Sequence, residues 1–295
     1  PTPEPTDGDD IGRHLTPPGL GLVLLEARAP WEAMAMAAVF PWLSRMPSGD
    51  GHAVLVFPGL GASDISTLAL RRFLKQHGYQ AHGWKQGLNL GPRDGVLDAC
   101  RERVHQLHQQ HGGKISLIGW SLGGVYAREM AKEMPDLVRS VITLGTPFTG
   151  HPKATNAWRF YNLVSGQQSH DEDLLAEVRK PPPVPTTSIY SKTDGIVAWQ
   201  CSINPTRHAH TENIEVHASH IGMGMNPLAL TAQIDNRYGA GKITARIGLD
   251  LPAMMFNAET DVFELVSGMH KIKPIDVVVI DESQFMSKAH VLECA

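Results

Sequence analysis

The sequence predicts an α/β fold in which a mostly parallel sheet carries helices on both faces. Three observations lead to this fold class. Strand and helix patterns alternate from residue 52 onward, strands such as 53–57 are continuous apolar runs, and Gly or Pro ends the helical patterns. Alternating strands and helices are typical of βαβ units, and uninterrupted apolar strands are typical of parallel sheets buried on both faces.

The individual elements follow from hydrophobic spacing. The pattern of apolar residues predicts strands at 53–57, 80–84, 115–118, 138–144, 187–190 and 214–217. Helical spacing of apolar residues predicts helices at 64–77, 94–111 and 122–134. Residues 148–185 join neighbouring strands by a long excursion with short helical stretches near 155–164 and 171–178. Such a small helical cap insertion usually lies over the ligand end of a sheet.

Residues 1–50 precede this pattern. Proline and acidic residues in 1–18 predict a flexible arm, and 19–46 predicts one or two apolar helices, broken near Pro30 and Pro41, that pack outside the following domain. The main domain is predicted to span 51–229. The pattern changes again after it, so 230–295 is predicted to be an appended segment.

Composition limits the classes of function. The 295 residues include 26 Lys and Arg against 30 Asp and Glu, which gives a net charge of −4. This balance provides no electrostatic footprint for nucleic acid or for an anionic membrane surface. The longest apolar stretch, 20–43, is interrupted by charged residues and prolines, so we expect no stable membrane insertion. Three widely spaced cysteines give no disulfide framework.

The expected compartment is the cytoplasm. Secretion stays open as an alternative, because the sequence starts at Pro1 and a leader could have been removed. The sequence leaves the oligomeric state unknown.

The segment Gly119-Trp120-Ser121-Leu122-Gly123 matches the pattern G-x-S-x-G. It follows a predicted apolar strand and opens a predicted helix, which is the setting that a nucleophile elbow requires. Glycines on both sides permit a sharp turn, and the helix N-terminus favours a developing anion. Ser121 is therefore the candidate nucleophile; the alternative is a serine that only caps the helix.

A serine nucleophile needs a base and an acid that orients this base. In folds with this elbow the chain order is Ser, then Asp or Glu, then His. Asp194 directly follows the fifth predicted strand and His220 follows the sixth, so both are expected at the sheet edge of Ser121. The alternatives are that Asp194 belongs only to a turn, or that an acid of the insertion such as Asp171 takes its place.

The developing oxyanion needs backbone donors. One expected donor is the N–H of Leu122, the residue after the candidate nucleophile. The second is expected from the glycine-rich loop 58–63 that follows the first strand, where we assign the N–H of Leu60.

Five motifs occur together between residues 52 and 228. They are Phe57-Pro58-Gly59-Leu60-Gly61-Ala62, Gly119-Trp120-Ser121-Leu122-Gly123-Gly124, Leu144-Gly145-Thr146-Pro147, Asp194-Gly195-Ile196-Val197 and His220-Ile221-Gly222-Met223-Gly224. With them the chain resembles an α/β-hydrolase of the bacterial esterase/lipase type. The resemblance implies the α/β-hydrolase fold and ester hydrolysis without a cofactor or a metal. The chain departs from the usual lipase pattern at Pro58, where His often precedes the oxyanion glycine.

Aromatic residues near these loops are candidates for substrate binding. Trp120 adjoins the nucleophile, Phe148 follows the fourth strand, and Trp158 and Phe160 lie in the insertion, where they could equally form the buried face of a helix. The expected reaction is hydrolysis of a small-molecule or lipid-like ester with a short to medium acyl chain. The alternatives are an amidase or acyltransferase with the same residues, or a catalytically impaired fusion product.

The appended segment carries a second resemblance. The runs 231–242 and Val277-Val278-Val279-Ile280-Asp281-Glu282 look like the middle of a bacterial thymidine kinase. This resemblance implies magnesium binding by Asp281 and a base role for Glu282.

Phosphoryl transfer also needs a loop that cradles the phosphates, with the pattern G-x-x-x-x-G-K-[ST]. The candidate at Gly241-Lys242 has Asn236 in place of the first Gly and Ile243 in place of Ser or Thr. Our hypothesis is that 230–295 is a fused or misjoined fragment without an activity of its own.

Overall fold

The structure is a computed structural model that describes residues 15–43, 49–150, 154–157, 172–204, 210–235, 242–244 and 250–252. Contacts divide the chain into two compact units, Pro1–Asn236 and Arg237–Ala295.

A six-stranded parallel sheet forms the centre of the first unit. Its strands are β1 (Ala53–Phe57), β2 (Gln80–Gly83), β3 (Ile115–Trp120), β4 (Val138–Leu144), β5 (Thr186–Tyr190) and β6 (Thr211–Glu215). They lie in the order β2-β1-β3-β4-β5-β6, and every neighbouring pair is parallel. The predicted α/β fold with a parallel sheet is therefore confirmed. Parallel strands end at one common edge, which brings the loops after β3, β4, β5 and β6 together.

Helices cover both faces of this sheet. They are α1 (Leu20–Leu25), α2 (Ala29–Leu43), α3 (Leu68–Gln76), α4 (Val96–His111), α5 (Leu122–Glu133), α6 (Glu172–Arg179) and α7 (Pro227–Asp235). Alternate residues of β1 feed two separate cores. Leu55 and Phe57 pack with residues of α4 and α5, whereas Val54 and Val56 pack with residues of α2, α3 and α7. A strand buried on both faces must be apolar at each position, which explains the uninterrupted run.

The N-terminal helices confirm the predicted break near Pro30. A short 3₁₀ turn, Glu26–Arg28, separates α1 from α2, and Pro30 lies in the first turn of α2, where a helix needs no backbone N–H. Pro41 itself does not break the helix, because it lies inside α2, which continues to Leu43.

Two other elements refine the sequence reading. The sixth strand was predicted at 214–217 and lies at Thr211–Glu215, where its side chains are exposed or half-buried. Such an edge strand lacks the apolar pattern that marks its buried neighbours. In the insertion, α6 confirms the second helical stretch, whereas most of the first, 155–164, falls outside the described residues.

In the second unit, Lys242–Thr244 and Asp250–Pro252 pair as a two-stranded antiparallel sheet. Asp281 and Glu282 lie outside the described residues. Within the described part of the chain, no helix combines the length and the apolar character needed to cross a membrane.

Candidate active site

Ser121 lies in a sharp turn between β3 and α5. Its backbone adopts φ 52° and ψ −125°, a conformation that residues other than glycine rarely take. Its N–H donates to the carbonyl oxygen of Leu144 at 2.8 Å, which ties the turn to the end of β4. Such strain persists only where the surroundings enforce it, and it is concentrated at functional sites.

The glycines around Ser121 are required by close backbone contacts. A Cβ on Gly119 would lie 2.2 Å from the Cα of Gly124, and a Cβ on Gly123 would lie 2.4 Å from the carbonyl oxygen of Phe57. No side chain fits at either position. The two glycines of the G-x-S-x-G pattern are therefore needed for the close packing of α5 against the ends of β1 and β3.

Asp194 and His220 form a buried hydrogen-bonded pair. The imidazole Nδ1 of His220 donates to Oδ2 of Asp194 at 2.7 Å. His220 is 7% exposed and Asp194 is 3% exposed. The second carboxylate oxygen, Oδ1, accepts the backbone N–H groups of Ile196 and Val197, each at 2.8 Å. These donors satisfy the buried carboxylate and fix its orientation.

Opposing effects set the basicity of His220. Burial lowers the pKa of its imidazole, but the charge and the hydrogen bond of Asp194, with a further contribution from the charge of Glu26, raise the pKa above its ordinary value. The result is an imidazole that holds a proton more readily than a free histidine.

The Asp194–His220 pair lies beside the turn of Ser121. A Cβ on Gly145, the residue after Leu144, would lie 3.0 Å from His220 Nδ1 and 3.1 Å from Asp194 Oδ2. Trp120 also donates its indole N–H to the carbonyl oxygen of His220 at 3.0 Å. Among the described residues, no hydrogen bond joins the hydroxyl of Ser121 to the imidazole. Such catalytic hydrogen bonds often tighten only with substrate.

The two predicted oxyanion donors belong to the same neighbourhood. Leu122 is the first residue of α5, where backbone N–H groups have no acceptor within the helix. Leu60 follows Gly59, and a Cβ on Gly59 would lie 3.2 Å from the Cβ of Ser121. Their role as donors stays a prediction.

A buried asparagine holds the loop that contains Leu60. Asn89 is fully buried and donates its Nδ2 to the carbonyl oxygen of Pro58 at 2.8 Å. Its Oδ1 accepts the N–H of Gly91 and the hydroxyl of Tyr126. The sequence analysis missed Asn89, because a single Asn in a loop gives no pattern that distinguishes it from a turn residue.

Sequence analysis also missed two carboxylates at the site. Glu26 and Glu32, on the N-terminal helices, are 6% and 9% exposed and accept hydrogen bonds from the loops of Asp194 and His220. The available signal was the presence of two acids and one arginine, Arg28, inside the mainly apolar stretch 20–43.

The predicted substrate-binding residues have mixed outcomes. Trp120 is buried against the His220 loop, and Phe148 is buried beneath the guanidinium of Arg128, 3.8 Å from its ring centre. Trp158 and Phe160 lie outside the described residues. Contact of all four with substrate stays a prediction.

Cys100 and Cys201 are buried. Burial raises the pKa of Cys201 to about 12 and that of Cys100 to about 11, so both thiols stay protonated near neutral pH. Within the described residues, no three His, Cys, Asp or Glu side chains are grouped so that they could hold a metal ion.

Part of the chain is similar to thymidine kinases. A thymidine kinase family model matches residues 211–295. The thymidine kinase of Aliivibrio fischeri is 47% identical over 70 residues, which are 24% of this chain and 36% of the relative. That of Escherichia coli K12 is 41% identical over 70 residues, covering 24% and 34%. This chain thus spans about a third of the length of these relatives.

The first unit is similar to solved lipases. Aspergillus fumigatus lipase B superposes with a TM-score of 0.51 at 16% identity, covering 65% of this chain and 53% of the lipase. Bacillus licheniformis lipase BlEst2 gives a TM-score of 0.48 at 15% identity, covering 65% and 94%. Identities this low report the fold alone. A model of the alpha/beta hydrolase family matches residues 48–237, well over half of the sequence, and the chain belongs to this family.

Proposed function

We propose that this protein is a serine carboxylesterase in which Ser121 is the nucleophile, His220 the general base and Asp194 the acid that orients the imidazole. The observation that carries the proposal is the buried Asp194–His220 hydrogen bond of 2.7 Å beside the strained turn of Ser121. Acyl transfer by serine requires both features.

The reaction divides into two balanced halves. The hydroxyl oxygen of Ser121 attacks the ester carbonyl while its proton passes to Nε2 of His220, and the imidazolium then protonates the departing alkoxide, which leaves an acyl-enzyme. Water repeats these steps on the acyl-enzyme and releases the carboxylic acid and the free serine. The N–H groups of Leu60 and Leu122 stabilise the oxyanion in both halves.

The proposed substrates are esters with short to medium acyl chains. Several structurally similar proteins are named lipases, which favours an ester over an amide, although amidases and acyltransferases can use the same three residues. The proposed substrate contacts are Trp120, Phe148, Trp158 and Phe160.

Two measurements test this function. Hydrolysis of p-nitrophenyl esters of graded acyl length should show activity and a preference for one length. A fluorophosphonate probe should form one covalent adduct, mapped by peptide mass spectrometry to Ser121. An adduct on another residue, or none with intact protein, would contradict the proposal. Faster cleavage of matched anilides would favour the amidase alternative.

We further propose that the thymidine kinase-like segment contributes no phosphoryl transfer. Asn236 and Ile243 occupy positions where the phosphate loop needs Gly and Ser or Thr. Thymidine and ATP should therefore give no thymidine monophosphate, and Asp281→Ala should leave ester hydrolysis unchanged. Phosphorylation that Asp281→Ala abolishes would overturn this view.

A further inference from the structure

The N-terminal segment 20–43 carries two buried acids that contact the loops of Asp194 and His220. Glu26 lies in the 3₁₀ turn between α1 and α2, and Glu32 lies in the first turn of α2. Neither contributes to the proposed acyl transfer, and neither lies on the strands or loops that carry the hydrolase motifs.

Glu26 binds both loops at once. Its Oε1 accepts the N–H of Gly195 at 2.8 Å and the N–H of His220 at 2.9 Å, and its Oε2 accepts the N–H of Ile221 at 2.9 Å. One carboxylate therefore joins the residue after the candidate acid to the candidate base itself. A buried carboxylate is costly unless donors surround it, and these three N–H groups supply them.

Glu32 binds Ser219, the residue before His220 in the same loop. Its Oε1 accepts the N–H of Ser219 at 2.7 Å, and its Oε2 accepts the hydroxyl of Ser219 at 2.9 Å. Arg28 donates Nε to Glu32 at 3.0 Å and Nη2 to the carbonyl oxygen of Thr193 at 3.0 Å. The Glu32–Arg28 pair thus reaches from the His220 loop back to the Asp194 loop.

Two glycines permit this close approach. A Cβ on Gly195 would lie 2.3 Å from the carbonyl oxygen of Leu22, and a Cβ on Gly222 would lie 1.9 Å from Oε2 of Glu32. In contrast, α1 has no buried residue of its own. Polar contacts to the two loops therefore account for much of the docking of this part of the segment.

We infer that Glu26 and Glu32 are positioning residues of the active site, and that Glu26 holds the acid and the base in register by binding both of their loops. This inference rests on the proposed esterase function. Glu26 touches neither substrate nor the reacting atoms; it acts through the backbone of His220 and Gly195.

Glu26 also carries a charge that acts on the imidazole. The pKa of His220 is lowered by burial and raised by Asp194 and, to a smaller extent, by Glu26. The other charged groups on this side, Glu32 and Arg28, are paired with each other. Replacing Glu26 with a neutral residue should therefore lower the pKa of His220, which a purely structural contact would leave unchanged.

The test uses the full chain and three substitutions. Glu26→Gln keeps the size of the side chain and removes its charge, Glu26→Ala removes all three acceptors, and Glu133→Gln removes an exposed acid paired with Arg101 as a control. The measured quantities are kcat/KM for a p-nitrophenyl ester against pH, thermal stability, and the titration of His220 by NMR, assigned with His220→Gln.

We expect Glu26→Gln to reduce the plateau of kcat/KM about tenfold and to move the acid limb to lower pH. Glu26→Ala should reduce the plateau by about 10²-fold, since small misplacements of catalytic groups are costly. Glu133→Gln should match the wild type in all three measurements.

Two results would overturn the inference: an unchanged plateau and acid limb in folded Glu26→Gln, or a loss of stability and rate with no shift of the His220 titration. If Glu26→Ala fails to fold, Glu26→Gln still decides. Failure of the esterase proposal is distinguishable, because the wild type would then show no hydrolysis and no fluorophosphonate adduct, while the NMR titration would still report on Glu26.

Discussion

Two edges of the same sheet carry Asp, His and Ser side chains, but the surroundings of these side chains differ between the edges. At the amino edge, His52 contacts Asp50 through Nδ1 at 2.5 Å and Ser116 through Nε2 at 2.7 Å. At the carboxyl edge, His220 contacts Asp194 beside Ser121. The amino-edge group contains the more complete chain of hydrogen bonds.

The surroundings of the serines separate the two groups. Ser116 lies within β3, where its hydroxyl also contacts the hydroxyl of Ser140 at 2.9 Å, and it is 5% exposed. Ser121 lies at a helix N-terminus with a strained backbone, next to the loop of Gly59. Only the second serine has backbone N–H groups nearby that could stabilise an oxyanion.

The pKa values of His52 and His220 are shifted in opposite directions. Burial lowers the pKa of His52, and the charge of Arg139 adds to this effect against the contribution of Asp50. The pKa of His220 is raised instead. Asp50 is also half exposed and bound to Arg139, whereas Asp194 is buried. Residue types in hydrogen-bonding order therefore distinguish the two groups less well than the position of the serine at a strand end and a helix N-terminus.

The largest expected difference between the edges concerns the two serines. Ser121→Ala should reduce kcat on a p-nitrophenyl ester on the order of 10⁶-fold, because it removes the proposed nucleophile of the acyl-enzyme. Ser116→Ala should stay within about twofold, since Ser116 only joins neighbouring strands. Single-turnover kinetics of both purified variants gives the comparison, and equal losses in the two variants would refute it.

Replacing Asp194 and replacing Asp50 should have effects on kcat that differ almost as much. Asp194→Asn should lower kcat about 10⁴-fold, because an amide stabilises the wrong tautomer of His220 and no imidazolium partner remains. Asp50→Asn should change kcat little and should lower the melting temperature slightly. The check is kcat together with differential scanning fluorimetry, and a large loss of activity with Asp50→Asn would place function at the amino edge.

A smaller effect on kcat is expected from replacing a side-chain amide that donates a hydrogen bond to a backbone carbonyl oxygen of a loop. Asn89→Ala should reduce kcat about tenfold, because the Pro58 carbonyl loses its donor and the loop with Leu60 loosens. Gln80 donates to the carbonyl of Gly51 at the amino edge in a comparable way. Gln80→Ala is therefore the matched control and should leave kcat and KM unchanged in steady-state assays.

The smallest expected effect concerns how the free energy of unfolding changes with pH. The raised pKa of His220 contributes stability that is present below the ordinary value near 6.5 and is lost as pH rises through the folded-state value. The lowered pKa of His52 contributes stability that is present above 6.5 and is lost as pH falls. On acidification from pH 7 to 5, His52→Gln should lose less stability than the wild type and His220→Gln more, as urea unfolding would measure.

The elbow could be predicted from the sequence because its constraints are local. The apolar strand 115–118, the two glycines and the following helix lie within one short stretch, and close backbone contacts leave no other residue type possible. Asp194 and His220 could be predicted as candidates because each directly follows a strand, and parallel strands end at one edge.

Glu26, Glu32 and Asn89 could not be predicted in the same way. Glu26 lies 169 residues from Gly195 and 194 from His220 in the chain, so no local pattern links them. Inside the apolar stretch 20–43 the two acids resemble interruptions on a solvent-facing side. Their partners are backbone N–H groups, which every residue but proline offers and which therefore leave no trace in the sequence.

The reach of Glu26 has a consequence for how the molecule matures. The carboxylate of Glu26 accepts the N–H of Ile221, so the chain as far as Ile221 must leave the ribosome before these contacts at the edge of the sheet can form. Until then Glu26 lacks these hydrogen-bond partners. A shortened protein that starts at β1 would keep every motif of the hydrolase resemblance but would lack the hydrogen bonds that Glu26 accepts.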